Sequence, residues 1–313
     1  MSVIRVQAPG LLTTVQDLGR EGWGPLGVSP SGAADPISLR LGNRLIANAD
    51  GAAGLEMTLL GGTFSFPDGA ALALAGSDFG ATLDGASVDS WTSIEVRPGQ
   101  TLRLGPARSG ARCYLCVQGG IAVKPFLGSA STHILSGLGG FEGRALRKGD
   151  VLHIGSAPGT FRKKTIAPEV RNLLLPRQTL RVTSGPQTNW FSESSTRAFY
   201  AETYRVGEQS NRMGLRLEGA PVTQISGGEM ITEGVSLGAV QVTHGGLPII
   251  LFVEQQTTGG YPKIANVISA DIHRVGQLRP RDEIRFELIT LETARSLRME
   301  QEELMASEEL ILE

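Results

Sequence analysis

Short segments in which apolar and polar residues alternate recur along this chain, and glycine, proline, aspartate and asparagine separate them. Alternation with a period of two is the pattern of half-buried β-strands. The segments lie at 3–7, 63–66, 71–75, 101–104, 111–117 and 151–154, and again at 180–183, 239–243, 249–253 and 283–288. Many short strands separated by turn residues predict a sandwich or a barrel rather than βαβ units.

Helical patterns are few. Asp35 is a favourable N-cap, and Pro36 stands in the first helical position, so a helix is predicted to begin there. The acidic C-terminal tail from about Leu291 has leucines recurring among charged residues, which indicates a second helix. The expected fold class is therefore mainly β with few helices.

The two halves of the chain share an order of motifs. In the first half, a strand at 113–117 runs into Gly119-Gly120, and a Leu-Arg-x-x-Asp motif at 146–150 precedes the strand at 151–154. In the second half, a strand at 249–253 runs into Gly259-Gly260, and the same motif at 278–282 precedes the strand at 283–288. This agreement predicts a duplicated β-barrel domain in which the paired glycines form an equivalent turn.

The duplication sets the expected domain boundaries. The first barrel is predicted over residues 1–156 and the second over 178–290. Pro158, Pro168 and Pro176 favour a linker at 157–177. Residues 291–313 remain as the acidic helical tail. Arg144 and Asp150 are expected to be structural, because they flank the start of a strand that occurs in both copies.

Charge and hydropathy exclude several classes of partner. The formal net charge of −2 argues against a general nucleic-acid-binding protein, which usually carries a basic stripe. The longest apolar stretch, at 248–253, is far too short to cross a bilayer, and the chain starts without the pattern of a secretory signal. We therefore expect a cytoplasmic protein without nucleic-acid or membrane partners.

Familiar catalytic and metal motifs are missing from the sequence. Cys113 and Cys116 lie three apart on a predicted strand, so they point to opposite faces and are expected to pack rather than to bind one metal or form one disulfide. The four histidines lack metal-ligand spacing, and no metal site is predicted. Neither a standard P-loop nor a nucleophile elbow occurs.

Several motifs in a consistent order resemble the allophanate hydrolase subunit 2 family, also described as carboxyltransferase subdomains A and B. In the first half they are TVQDLGR at 14–20, SGAAD at 31–35, LGNRL at 41–45 and LGGFEGRALRKGD at 138–150. In the second half they are NRMGLRL at 211–217, GAVQV at 238–242 and QTTGGYPK at 256–263. The resemblance covers roughly residues 3–288. It departs at Glu254, where the family usually has aspartate, and does not extend to the acidic tail.

The resemblance implies a fold, a set of activities and partners. The family has two cyclophilin-like β-barrels, in agreement with the duplication, and its members work beside a smaller subunit 1 partner. Its 5-oxoprolinase members imply a C-type subunit that hydrolyses 5-oxo-L-proline to L-glutamate, with a B-type partner, a separate A-type partner and ATP bound by the complex. One alternative is a biotin-dependent carboxyltransferase component acting on urea or a related amide, with biotin carried by another chain. Another is a non-catalytic antagonist of a histidine-kinase inhibitor.

Both enzymatic alternatives place negative charge on an amide or carboxylate oxygen. Each therefore needs fixed hydrogen-bond donors and a group that moves a proton. Uncharged polar residues at the end of a very apolar strand, such as Gln256, are costly to bury without a partner or ligand. The candidate catalytic residues are Gln256, Thr257, Tyr261 and Glu254, and the candidate substrate-binding residues are Asp17, Arg20, Arg212, Gly259 and Gly260. The structural alternatives are a plain turn at Gly259-Gly260 and an ion pair or domain contact of Asp17 with Arg20.

Overall fold

The structure is a computed structural model that describes residues 2–157, 159–175, 177–225 and 230–313. These residues fall into two compact units. Unit 1 contains the described residues of the ranges 1–20, 31–175 and 308–313, and unit 2 contains those of 21–30 and 176–307. Within the described ranges, no helix has both the length and the apolar character needed to cross a membrane.

Strands outnumber helices throughout, so the expectation of a mainly β protein is confirmed. The helices are α1 (Pro36–Leu45), α2 (Pro168–Leu173), α3 (Glu193–Ala201), α4 (Ile272–Val275) and α5 (Leu291–Ala306). The strands up to residue 166 are β1 (Val3–Ala8), β2 (Leu12–Gln16), β3 (Gly54–Thr58), β4 (Thr63–Ser65), β5 (Ala70–Gly76), β6 (Thr82–Leu83), β7 (Ala86–Ser87), β8 (Ser93–Val96), β9 (Thr101–Arg103), β10 (Arg112–Val117), β11 (Ile121–Ala122), β12 (Val151–Ile154) and β13 (Thr165–Ile166). The later strands are β14 (Thr179–Ser184), β15 (Tyr204–Val206), β16 (Gly214–Glu218), β17 (Glu233–Gly234), β18 (Ala239–Val242), β19 (Pro248–Leu251), β20 (Thr258–Gly259), β21 (Lys263–Val267), β22 (Glu283–Leu288) and β23 (Ile311–Leu312).

Unit 1 is built from two sheets. One has the strand order β11-β12-β1-β4-β9-β6-β7, and the other has the order β2-β3-β10-β5-β8. Alternate residues of both sheets, such as Ile4, Phe64, Leu55 and Leu115, are fully buried in one apolar core. Each sheet therefore contributes one face to that core, as the period-two pattern predicts.

Helix α1 covers the other face of the five-stranded sheet. Its start matches the sequence prediction, because the Asp35 carboxylate accepts a hydrogen bond from the backbone N–H of Ser38 at 3.0 Å. The absence of a side chain at Gly42 lets α1 approach closely, since a Cβ there would lie 2.8 Å from the sulfur of Cys116. A larger residue at position 42 would push the helix off the sheet.

The two cysteines occupy opposite faces of β10, as predicted. Cys113 lies in the core of unit 1, whereas the Cys116 sulfur lies 3.8 Å from the carbonyl oxygen of Leu39 on α1. Both are free and buried. Burial raises the pKa of both thiols, that of Cys116 to about 12, so both stay protonated and unreactive near neutral pH.

Unit 2 contains a closed barrel with the strand order β14-β21-β18-β19-β16-β15-β22. The side chains of Val182, Val240, Ile250 and Phe286 are buried in it. A separate two-stranded arm is formed by β17 and β20. Because the sheets of unit 1 and the barrel of unit 2 are arranged differently, the predicted duplication of equivalent barrels is not confirmed.

One turn does recur in both units. In the Leu-Arg-x-x-Asp motif, Asp150 accepts a hydrogen bond from the N–H of Arg147 at 2.7 Å, and Asp282 accepts one from the N–H of Arg279 at 2.8 Å. Arg144 also binds both carboxylate oxygens of Asp150, at 2.8 and 3.0 Å, and holds the pKa of that carboxyl below its usual range. The repeated motif therefore encodes a turn, a smaller unit than a barrel.

The range 157–177, predicted as a linker, contains regular secondary structure. Part of the range 157–177 forms β13 and α2, and both belong to unit 1. Pro168 occupies the first turn of α2, where its missing N–H costs no helical hydrogen bond. Pro158 and Pro176 lie outside the described residues. The C-terminal tail forms α5 in unit 2 and then β23, which pairs with β13 in unit 1.

Candidate functional site

A cavity of about 210 Å³ lies against the barrel of unit 2. Three neighbouring strands, β16, β19 and β18, supply one wall, and the chain that leads from β19 to β21 supplies the other. Apolar side chains, including Ile249 and Leu251, cover part of this wall. The polar side chains that line the cavity are Asn211, Arg216, Gln241, Thr243, Gln256 and Tyr261.

The strand register explains why these side chains face the cavity. Arg216 on β16 is paired with Ile249 on β19, and Ile249 is paired with Gln241 on β18, so the three form a row across the sheet. The neighbouring position on β19, Ile250, is completely buried. Because side chains alternate between faces, the row lies on the outer surface of the barrel.

Gln241 is the most informative residue of the row. Only 2% of it is exposed, and its side-chain oxygen accepts a weak hydrogen bond from the Gln256 amide at 3.5 Å. Its amide nitrogen has no hydrogen-bond partner among the described residues. A buried donor without a partner costs about 1–3 kcal/mol, so such a group in a cavity marks the position of a ligand atom or a water molecule.

The arm formed by β17 and β20 packs on these amides. Gly259 lies in β20 opposite Glu233, and a Cβ on Gly259 would lie 2.5 Å from the Gln241 amide nitrogen and 2.9 Å from that of Gln256. Gly119 and Gly120 instead form a left-handed turn, with φ values of 94° and 69°. The interpretation of the two glycine pairs as one equivalent turn is therefore wrong, because Gly259 is a strand residue that gives room to two side chains.

An ion pair fastens the arm to the barrel. The Lys263 ammonium, which is almost fully buried, binds the Glu233 carboxylate. The Gln187 side chain bridges the two residues, since its amide nitrogen donates to Glu233 at 3.0 Å and its oxygen accepts from the N–H of Lys263 at 3.2 Å. The contact with Lys263 and Gln187 holds the pKa of Glu233 below its usual range. The arm is thereby held over the part of β18 that carries Gln241.

Arg212 and Glu254 form a buried ion pair beside the cavity, with Arg212 Nε 2.5 Å from Glu254 Oε1. The backbone of the two segments is also joined, because the N–H of Glu254 donates to the carbonyl of Arg212 at 2.8 Å. Neither side chain lines the cavity. Their position suits a structural role, because they fix the segments that carry Asn211 and Gln256.

Two of the remaining candidate site residues of unit 2 line the cavity, and two flank strand β20 of the arm. Gln256 and Tyr261 line it, and the Tyr261 ring makes an edge contact with His244 at a centroid distance of 5.3 Å. The carbonyl of Thr257 accepts a hydrogen bond from the N–H of Val235 at 3.1 Å, which joins it to the arm. Gly260 follows β20 and is exposed.

Asp17 and Arg20 belong to unit 1, where both hold one loop. The Asp17 carboxylate accepts hydrogen bonds from the hydroxyls of Ser129 and Ser131 at 2.7 and 2.5 Å and from the N–H of Ala130 at 2.6 Å. Arg20 is buried and donates to the carbonyl of Ser131. Both residues therefore stabilise a loop of unit 1, whereas the cavity belongs to unit 2.

Several residues of the cavity were not singled out from the sequence as site residues. Arg216 and Gln241 occur in the motifs NRMGLRL and GAVQV, but only as part of the family resemblance. The available signal was Gln241 itself, an amide in an otherwise apolar strand, which is the same argument that favoured Gln256. The parts of the chain that the structure describes contain no group of three or more His, Cys, Asp or Glu residues arranged to hold a metal.

Comparison with known proteins places this architecture in a family. The model of the carboxyltransferase domain, subdomain A and B, matches residues 26–288. The C-type subunit of 5-oxoprolinase from Escherichia coli K12 is 38% identical over 300 residues, which cover 96% of both chains. The urea amidolyase of Saccharomyces cerevisiae is 34% identical over 96% of this chain but only 17% of its own length.

A solved structure gives the same assignment. The crystal structure of Kluyveromyces lactis urea amidolyase superposes with a TM-score of 0.91 at 33% identity and covers 99% of this chain. This chain spans 21% of that protein's length. The 5-oxoprolinase relative is a subunit of that enzyme, whereas this chain matches one part of the urea amidolyases. The chain therefore belongs to the carboxyltransferase family of subdomains A and B.

Proposed function

We propose that this chain is the C-type subunit of an ATP-dependent 5-oxoprolinase, which hydrolyses 5-oxo-L-proline to L-glutamate with a B-type partner and a separate A-type partner. The observation that carries the proposal is the buried, unpartnered amide nitrogen of Gln241 in the cavity of unit 2. The identity to the C-type subunit of a known 5-oxoprolinase over 96% of both chains supports the choice of reaction.

The dimensions of the cavity favour a small amide. Pockets for drug-sized ligands have volumes of roughly 300–1,000 Å³, and this cavity has about 210 Å³. A five-membered lactam fits that space. Arg216 is also the one cation among the described lining residues. We therefore assign the cavity to the amide substrate and the ATP site to another part of the complex.

The proposed role of Gln241 is to donate a hydrogen bond to the amide oxygen of the substrate. Negative charge develops on that oxygen when the amide is attacked, and a fixed donor in a site shielded from water stabilises it. The Gln256 amide nitrogen donates to the side-chain oxygen of Gln241 and so holds that side chain in place. The amide nitrogen of Gln241 is then available to donate to the substrate. Tyr261, which lines the cavity, and His244, whose ring contacts Tyr261, are the candidates to move a proton.

The test is a reconstitution of the complex. The purified chain is mixed with its B-type and A-type partners, ATP and 5-oxo-L-proline, and glutamate is measured with each component omitted in turn. We expect glutamate only in the complete mixture. A Gln241→Leu variant, which keeps the volume but removes the donor, should lose about 10²-fold or more in turnover. Glutamate absent from every combination would contradict the proposal.

A second candidate is the carboxyltransferase component of a biotin-dependent enzyme. The structural similarity to urea amidolyase, with a TM-score of 0.91, favours it. In this reaction, biotin carried by another chain would supply the carboxyl group that a urea nitrogen accepts in exchange for its proton. Gln241 would then hold the urea carbonyl. Urea-dependent loss of the carboxyl group from carboxybiotin, with no ATP-dependent glutamate formation, would select this candidate.

A further inference from the structure

Arg216 gives the cavity a positive charge at its exposed edge. The side chain projects from β16 on the outer face of the barrel, and it forms no ion pair with any described residue. Its backbone is fixed by Ser210, whose hydroxyl accepts from the N–H of Arg216 at 3.1 Å and donates to its carbonyl at 3.4 Å. The cation is therefore anchored at the cavity and available to an anionic ligand.

The row across the sheet sets the separation between this charge and the buried amide. Arg216 and Gln241 lie two strands apart, with Ile249 between them. Neighbouring strands are about 4.8 Å apart, so the backbone positions of Arg216 and Gln241 are roughly 10 Å apart. The cavity thus offers a cation at its exposed end, an apolar side chain in the middle and a neutral donor at its buried end.

We propose that the cavity binds a small ligand that carries both an amide carbonyl and a carboxylate. Arg216 binds the carboxylate, the Gln241 amide nitrogen donates to the carbonyl, and Ile249 contacts the methylene groups between them. The guanidinium fork matches the two oxygens of a carboxylate. A buried donor rejects ligands that offer it no acceptor. Arg216 is thus the residue that recognises the carboxylate of the ligand.

This inference rests on the assignment of the cavity to the substrate under the proposed function. It is tested by calorimetric binding to the full chain without ATP or partners, so that binding is measured apart from turnover. The probes are 5-oxo-L-proline, 2-pyrrolidinone, which lacks the carboxylate, and cyclopentanecarboxylate, which lacks the amide. We expect 5-oxo-L-proline to bind about tenfold more tightly than either fragment.

Two variants separate the contributions of the two residues. Arg216→Met should bind 5-oxo-L-proline no better than 2-pyrrolidinone, and Gln241→Leu should bind it no better than cyclopentanecarboxylate. Arg197→Met, an exposed arginine on α3 that pairs with Glu193, is the matched control and should keep the wild-type preferences. Thermal unfolding of each variant verifies that it is folded.

The possible outcomes are decisive. The inference is overturned if wild-type chain binds 2-pyrrolidinone as tightly as 5-oxo-L-proline, if it binds none of the probes at millimolar concentration, or if Arg216→Met keeps the wild-type preference. If the complex forms glutamate and any of these results is also obtained, only this inference is contradicted and the proposed 5-oxoprolinase activity stands. The expected binding pattern without ATP-dependent glutamate formation would instead contradict the proposed 5-oxoprolinase activity and leave the ligand class standing.

Discussion

Replacing Gly259 with alanine adds one methyl group directly against the two amides of the cavity. The new Cβ would lie 2.5 Å from the Gln241 amide nitrogen, 2.9 Å from the Gln256 amide nitrogen and 3.2 Å from Val235 Cγ1. Ordinary van der Waals contact begins at 3.4 Å, so the Gln241 amide must move by about 0.9 Å. Both amides are ends of flexible side chains, so they can move without breaking the strand.

The change should therefore affect the site far more than the fold. Alanine in place of glycine lowers the conformational entropy of the unfolded chain, which stabilises the folded state by about 0.4–1 kcal/mol. This gain offsets part of the cost of moving the side chains. We expect the free energy of unfolding to change by about 1 kcal/mol or less. A displacement of about 1 Å at a reacting group can lower the rate by about 10²-fold, so turnover should fall by that order.

The assay compares Gly259→Ala with Gly234→Ala. Gly234 lies on the partner strand of the same arm, opposite Thr258, and a Cβ there meets no atom within 4 Å. Both variants make the same chemical change, so they differ mainly in contact with the amides. Urea unfolding measures stability, and glutamate release by the reconstituted complex measures turnover. Calorimetric binding of 5-oxo-L-proline measures the occupation of the cavity.

Wild-type turnover and binding in Gly259→Ala would refute the reasoning, because a displaced Gln241 amide would then have no effect on the reaction. Loss of activity in both variants would also refute it, since the damage would come from the arm rather than from the two amides. Loss confined to Gly259→Ala, with stability nearly unchanged, is the expected result.

Three further predictions concern charged residues and thiols. Glu254→Gln removes the carboxylate that the buried Arg212 guanidinium binds and should lower the free energy of unfolding by about 3–5 kcal/mol in urea, whereas Glu193→Gln on the surface should change it by about 1 kcal/mol or less. Hydrogen bonding to an arginine holds the pKa of Asp150 below its ordinary value of 3.8, so the carboxylate stabilises the fold above that pH and this contribution is lost as the pH falls through the lowered pKa. An Asp150→Asn variant should lack this acid-dependent part in unfolding measured from pH 6 to 2, and an unchanged profile would contradict the assignment. Cys113 and Cys116 should resist iodoacetamide at pH 8 in the folded chain and react with it in urea, whereas rapid labelling of the folded protein would disprove their burial.

The sequence determined the local structure of this protein well. Period-two alternation located ten of the strands, among them β12 and β22 at their observed bounds, because alternating burial is a property of each strand, but it missed others such as β3, β16 and β21. Asp35 and Pro36 located the start of α1, because capping involves only residues within one turn. The order of motifs over most of the chain was sufficient to predict the family.

Tertiary structure alone decided which polar residues meet. Gln256, a candidate from the sequence, does line the cavity, but its partner Gln241 lies on β18, and the pairing of β18 with β19 brings the two together. Glu254 and Arg212, candidates for the chemistry, form a buried ion pair with each other, whereas Asp17 and Arg20 hold a loop of unit 1.

The paired glycines show the physical reason for this division. Gly119-Gly120 and Gly259-Gly260 look alike in sequence, yet the first pair forms a left-handed turn and Gly259 lies in a strand. Glycine permits both conformations, so the residues that surround it in the fold determine which one it adopts. The sequence by itself thus determined many of the strands, the start of α1 and the family. The tertiary structure decided the register of the barrel, and with it that Arg216, Gln241 and Gln256 line one cavity.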